Sequence, residues 1–148
     1  MSEFKKFKDI IDRYYDSINL GSPSNAPSEE RIAETEKNLE VKLPPSYIWF
    51  LTHFGGGDIL GDEIYSIYNN RDAVGGDITF QYQNCLASKL LNKDEIPILC
   101  NDYGEIYLFH CQKGPEFPIY KKLGKQRIFY ANNFAEFLEK LLKEYFSD

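Results

Sequence analysis

Along this chain the spacing of apolar residues shifts from helical to strand-like and back. Phe4, Phe7, Ile11, Tyr14 and Ile18 recur at intervals of three and four. That predicts one face of an amphipathic helix, with Lys5, Lys6, Lys8, Asp9 and Asp12 largely outside it. GSPSNAPS, residues 21–28, breaks the pattern with two prolines and several small polar residues, and reads as a loop. Ser28 suits the N-cap of a second helix, with Glu29 and Glu30 in the first turn, where carboxylates complement the helix dipole. Ile32, Glu36 and Leu39 share one face of this short helix, so its burial is partial. Leu43-Pro44-Pro45 ends it and opens a third, since proline is tolerated in a first helical turn. Tyr47, Phe50, Leu51 and Phe54 follow at i, i+3, i+4 and i+7 as a core stripe. Gly55 then falls where a left-handed residue closes a helix.

Beyond the glycines, Ile59, Leu60, Ile64, Tyr65, Ile67 and Tyr68 are β-type residues split by Gly61-Asp62-Glu63, which predicts one or two short strands and a turn. Residues 69–77 read as loop. Residues 78–91 are ambiguous between helix and irregular structure, with the helical character placed in the second half, CLASKLL. EIPILCN, DYGEIYLFHCQ, EFPIYKK and QRIFYA are short β-rich runs separated by turn residues, and predict an antiparallel meander. A last helix begins near Asn133. Asn133 and Glu136 stand in capping-box relation, and Phe134, Phe137, Leu138, Leu141, Leu142 and Tyr145 form its apolar face. Helices, then a sheet, then a helix, predict an α+β fold.

Length adds that the 148 residues make one domain, 1–148. A 43% hydrophobic content, with eleven Tyr and eleven Phe, predicts an aromatic-rich core. The N-terminal segment has no uninterrupted apolar run such as a secretory signal needs, and charges break every other apolar run before membrane-spanning length. A cytoplasmic protein with no membrane partner is expected.

Charge changes the picture more. The net charge of −6 is uneven: residues 57–110 carry nine acids and three bases, while residues 111–148 carry five acids and seven bases. An acidic middle disfavours nucleic acid as a partner, because a phosphate backbone calls for clustered Lys and Arg. It suits a basic protein surface, or serves only as a solvated face that aids solubility. Asp58, Asp62, Glu63, Asp72 and Asp77 are the candidate partner-binding residues.

Candidate chemistry is sparse. Gly55-Gly56-Gly57 follows a helix, so the negative carbonyl end faces it, and neither GxxxxGK[ST] nor GxGxxG is present; a phosphate or nucleotide cofactor is not expected. Asp58, Asp62 and Glu63 lack the alternating acids of a calcium loop, so no metal is expected either. Cys85, Cys100 and Cys111 include no CxxC pair and read as free thiols. His53 and His110 read as structural, with no catalytic residue expected. Trp49 lies off the stripe of the third helix, and reads either as semi-core or as a partner-facing anchor.

SEERIAETEKNLEVKLP, then LPPSYIWFL, then FGGGD and a short strand, with the later meander and NNFAEFLEKLL, resemble the SUKH superfamily, the Smi/Knr-like proteins. The pattern matches at Ile32, Glu36, Leu39, Leu43, Pro44, Tyr47, Phe50, Leu51 and Gly55. The resemblance implies an α+β fold without catalysis. It also implies a bacterial immunity protein that binds and neutralises a cognate toxin, often a nuclease, inside the producing cell. Other members act in regulation, so the resemblance equally admits an interaction module with an endogenous partner.

Overall fold

The computed structural model describes residues 4–70 and 74–146. Among these described residues, five α-helices and seven strands follow in the order α1 (Lys5–Tyr14), β1 (Asn19–Leu20), α2 (Glu29–Leu39), α3 (Pro45–Phe54), β2 (Gly57–Ile59), β3 (Asp62–Ile64), α4 (Ile78–Ala87), β4 (Glu95–Cys100), β5 (Ile106–His110), β6 (Ile119–Leu123), β7 (Gln126–Ala131) and α5 (Phe134–Tyr145). The fold is α+β, with an antiparallel sheet β1-β2-β3 and an antiparallel meander β4-β5-β6-β7. Tyr65 N–H donates to the Ile98 carbonyl at 2.8 Å, linking the segment after β3 to β4.

The predicted aromatic stripes meet at one core. Tyr47 and Phe50 of α3, Phe109 of β5 and Phe134 of α5 are fully buried, with ring centroids 5.2–6.1 Å apart in the pairs they form. Each such side chain contributes roughly 1.5–3 kcal/mol through burial. The Tyr47 hydroxyl is satisfied by donating to the Tyr65 carbonyl at 2.7 Å. The α5 face named from the sequence lies on one side of the meander, where Phe137 meets Tyr107 and Tyr130. On the other side α4 and the turn after it place Cys85 and Leu91 over Ile106 and Leu108.

Polar groups fix the helix ends. Ser28 Oγ accepts from Arg31 N–H at 3.1 Å at the start of α2. The Glu36 carboxylate accepts from Leu43 N–H at 2.7 Å, holding the α2–α3 link. Asn133 caps α5 through Glu136 N–H at 2.9 Å, while the Glu136 carboxylate accepts from the Asn132 side chain rather than closing a reciprocal box.

Two segments differ from the sequence reading. α1 stops at Tyr14 instead of running on to Ile18, because Asn19 and Leu20 leave the helix to pair with Asp58 and Gly57. Gly57 permits this approach: a Cβ there would stand 2.0 Å from the Asn19 carbonyl oxygen. Gly55, at φ 73°, closes α3 as expected, its N–H donating to the Leu51 carbonyl. The helix of residues 78–91 is Ile78–Ala87, so only Cys85, Leu86 and Ala87 of CLASKLL are helical and the first half, left ambiguous by the sequence, is helical too. Asp77 caps it by accepting from Phe80 N–H at 2.9 Å, and a left-handed Lys89 ends it, with Leu90 N–H returning to the Cys85 carbonyl. Trp49 is partly buried beneath α1, 5.7 Å from Phe4 and 4.9 Å from Phe7.

Among the described residues no helix is long and apolar enough to cross a membrane.

Candidate protein-binding site

Two hairpin tips and the end of a helix converge on one side of the molecule. Asp62 pairs with Ile59, so β2 and β3 are joined by the two residues Leu60 and Gly61, both at positive φ (52° and 93°). Such turns match strand twist, but favour Asn-Gly; leucine is a poor occupant of a left-handed position. Leu60 is nonetheless 63% exposed at this tip. The β4–β5 turn is built by Asn101, whose Oδ1 accepts from Tyr103 and Glu105 N–H groups, and whose Nδ2 donates to Glu105 Oε1 at 2.7 Å. The turn projects Tyr103, 89% exposed.

Between these tips and the last turn of α5 lies an open hollow of about 470 Å³. Asp62, Asp102, Glu105 and Glu144 line it, with Lys121 as the one base. Tyr107 stands among them. Burial raises its pKa first, and the charges of Glu144, Glu105 and Asp62 raise it further, so the three carboxylates act on one phenol. The Tyr145 hydroxyl donates to Asp62, and its pKa too is raised by burial and then by that carboxylate. Both phenols stay neutral donors. Lys121 Nζ lies 3.9 Å from Glu105 Oε2 and 5.7 Å from the Tyr107 ring centre, and so offsets one of the four acids. The carbonyl end of α5 adds negative potential. Leu60 and Tyr103 thus stand exposed on either side of an acidic centre.

The acids singled out from the sequence go to different places. Asp62 lines the hollow. Asp58 accepts from Gly61 N–H within its own turn and faces a smaller hollow shared with Asp16 and Leu60. Glu63 accepts from the Tyr68 hydroxyl at 2.8 Å on the other face of β3. Asp77 is 7% exposed and caps α4, with the Arg31 guanidinium 3.9 Å away. Asp72 lies outside the described residues. Charge counting missed Tyr103, Glu105, Lys121, Glu144 and Tyr145. A tyrosine inside the turn Asp102-Tyr103-Gly104, and a leucine where a tight hairpin favours asparagine, were the available signals.

The histidines and cysteines sit in structural surroundings. His53 stacks on Trp49 at 4.1 Å, with Nδ1 2.8 Å from the Trp49 carbonyl, and His110 packs edge-on to Tyr120. Burial raises the pKa of all three thiols, that of Cys111 to about 11, the reverse of what a nucleophilic thiolate requires. Among the described residues no group of three or more His, Cys, Asp or Glu side chains is placed to hold a metal ion.

A family profile described as SUKH_6, SMI1-KNR4 cell-wall, matches residues 29–138, from the start of α2 into α5. The chain belongs to this family of the SUKH superfamily, whose domains are generally non-enzymatic. No curated protein matches the chain.

Proposed function

We propose that this chain is a non-catalytic immunity protein. As one domain in the bacterial cytoplasm, it binds a cognate toxin domain and blocks its basic active-site surface. Family membership over residues 29–138 carries the reading, since SUKH domains are commonly immunity proteins. The acidic hollow supports its electrostatic part: a nuclease groove shaped for phosphates is basic, and carboxylates at hairpin tips can occupy it. Of the acids first singled out, Asp58 and Asp62 flank the exposed Leu60, while Glu63 and Asp72 are proposed only as part of the acidic charge of residues 57–110. Asp77 contributes through the field rather than by contact.

The test is co-expression with the toxin encoded beside it. Rescue of growth and a stable complex are expected; binding that is unchanged in affinity and salt dependence when Asp58, Asp62 and Glu63 are reversed to lysine removes the electrostatic part. The family's description, SMI1-KNR4 cell-wall, supports a second reading, a regulatory module binding an endogenous protein. Capture of such a partner, with no effect on the neighbouring toxin, would select it.

A further inference from the structure

Of the two edge strands of the meander, β4 is covered and β7 is open. At β4 the Ile98 carbonyl accepts from Tyr65 N–H, whereas β7 pairs with β6 alone. The turn between β6 and β7 is the two residues Gly124-Lys125, with Gly124 at φ 58°, so the flanking Leu123 and Gln126 form a bonded pair. Alternation along the ladder then gives the backbone groups of Gln126 and Ile128 to β6, and turns the N–H and C=O of Arg127 and Phe129 outward. Among the described residues nothing bonds to these four groups. Proline, a bulge or an inward charge ordinarily blunts such an edge. β7 has no proline, and its bulge at Tyr130 comes only at the far end, where Lys140 Nζ donates to the Tyr130 carbonyl.

The side chains at this edge supply a second observation. Ile128 and Phe129 are 42% and 49% exposed, on opposite faces of the strand. Phe129 stands edge-on to Tyr120, 5.8 Å away, and exposed Leu90 lies beside Arg127, its carbonyl accepting from the guanidinium. Open backbone groups with apolar side chains on both faces fit an extended segment. Charge selects which one. Residues 120–131 hold four bases and no acid. Glu105 and Glu95 offset Lys121 and Arg127, but Lys122 and Lys125 have no carboxylate partner among the described residues. A second copy of β7 would set two basic hairpins side by side, whereas an acidic segment is attracted.

We infer that the open edge of β7, residues 126–129, is the docking site for an extended acidic segment of a partner protein, which adds a strand to the meander. The outward N–H and C=O groups of Arg127 and Phe129 hold its backbone. Ile128 and Phe129 take apolar side chains from its centre, one on each face, and Lys122 and Lys125 take carboxylates beside them. This site does not rest on the toxin reading, which concerns a basic surface and the acidic hollow.

The full chain, titrated with a capped peptide of central valines and flanking glutamates, tests this by two-dimensional NMR and amide hydrogen exchange. In the free chain Gln126 and Ile128 amides are expected to be protected and those of Arg127 and Phe129 open; the peptide should protect the second pair. Its fully N-methylated form, which has no backbone donor, and its lysine-for-glutamate form should each bind about tenfold more weakly or worse, equivalent to roughly 1.4 kcal/mol. Phe129→Pro deletes an outward N–H without removing a bond to β6, and should abolish binding. Phe129→Glu keeps that N–H but adds a like charge, and should weaken binding about tenfold; it decides the matter if the proline variant does not fold. Equal binding of the three peptides, no protection at Arg127 and Phe129, or full affinity in Phe129→Glu overturns the inference. So does protection that appears without peptide and grows with protein concentration, which assigns the edge to a second copy. Growth rescue from the neighbouring toxin is scored separately, so either reading can fail alone.

Discussion

The Tyr145 hydroxyl donates to Asp62 Oδ2 at 2.5 Å, joining the last residue of α5 to the first of β3 across 83 positions of sequence. This bond fixes the helix end beside the hairpin tip, and so sets one wall of the hollow. Asp62 is partly exposed, which places the bond at the lower end for a charged acceptor. Tyr145→Phe should therefore cost about 1–2 kcal/mol. Urea unfolding measures it; an unaltered midpoint would show that the bond contributes nothing in solution.

Leu60 trades stability for exposure. A left-handed conformation costs a bulky residue roughly 1–2 kcal/mol, and asparagine much less. Leu60→Asn is expected to raise stability by about 0.5–1 kcal/mol and to weaken partner binding. A thermal scan together with an affinity measurement checks both halves. A variant that is less stable, or that binds as tightly as the parent, contradicts the role given to this residue.

Two glycines of the same hairpin should respond differently. At Gly57 a Cβ meets the Asn19 carbonyl oxygen at 2.0 Å, whereas at Gly61 nothing lies within 4 Å, although φ is 93°. Gly61→Ala carries the backbone strain alone, about 1–2 kcal/mol. Gly57→Ala must also push β1 away, and should cost more than about 3 kcal/mol or prevent folding. Comparable stabilities of the two variants would mean that β1 is not held against β2.

Buried Glu95 makes stability depend on pH in a calculable direction. Burial pushes its pKa up, but the Arg127 hydrogen bonds at 2.6 and 3.1 Å, with one from Asn92 N–H at 2.9 Å, outweigh it and hold the pKa below the usual value. Its contribution is therefore complete above the unfolded pKa and is lost as pH falls through the lowered folded value. Arg127→Ala leaves the carboxylate buried without its partner, at a cost of about 3 kcal/mol at neutral pH. With burial then dominant, the folded pKa rises and acidification stabilises the variant relative to pH 7. Urea titrations between about pH 7 and pH 4 distinguish the opposite slopes; parallel slopes would refute the pairing.

Most elements were legible because they bury a regular face. Tyr47, Phe50 and Leu51 of α3 and the apolar line of α5 hold helical spacing, and β4 to β7 are bounded by turn residues, so local periodicity was enough. α4 resisted because Ile78, Thr79, Phe80 and Tyr82 are strand formers, while its helical state depends on Asp77 as cap and on packing against the meander. α1 was read too long because Ile18 keeps its spacing, although the backbone there has already turned to pair with β2.

The amino-acid order by itself determined the fold class, the family pattern and an acidic middle, since each is a property of neighbours within a few residues. Which acids act together was decided only by tertiary structure. Asp62, Glu105 and Glu144 belong to a hairpin, a strand flank and a helix end that periodicity treats separately. Charge summed along the chain has no direction, and the hollow exists only where packing of α5 against the sheet brings those three carboxylates and Tyr107 to line one space.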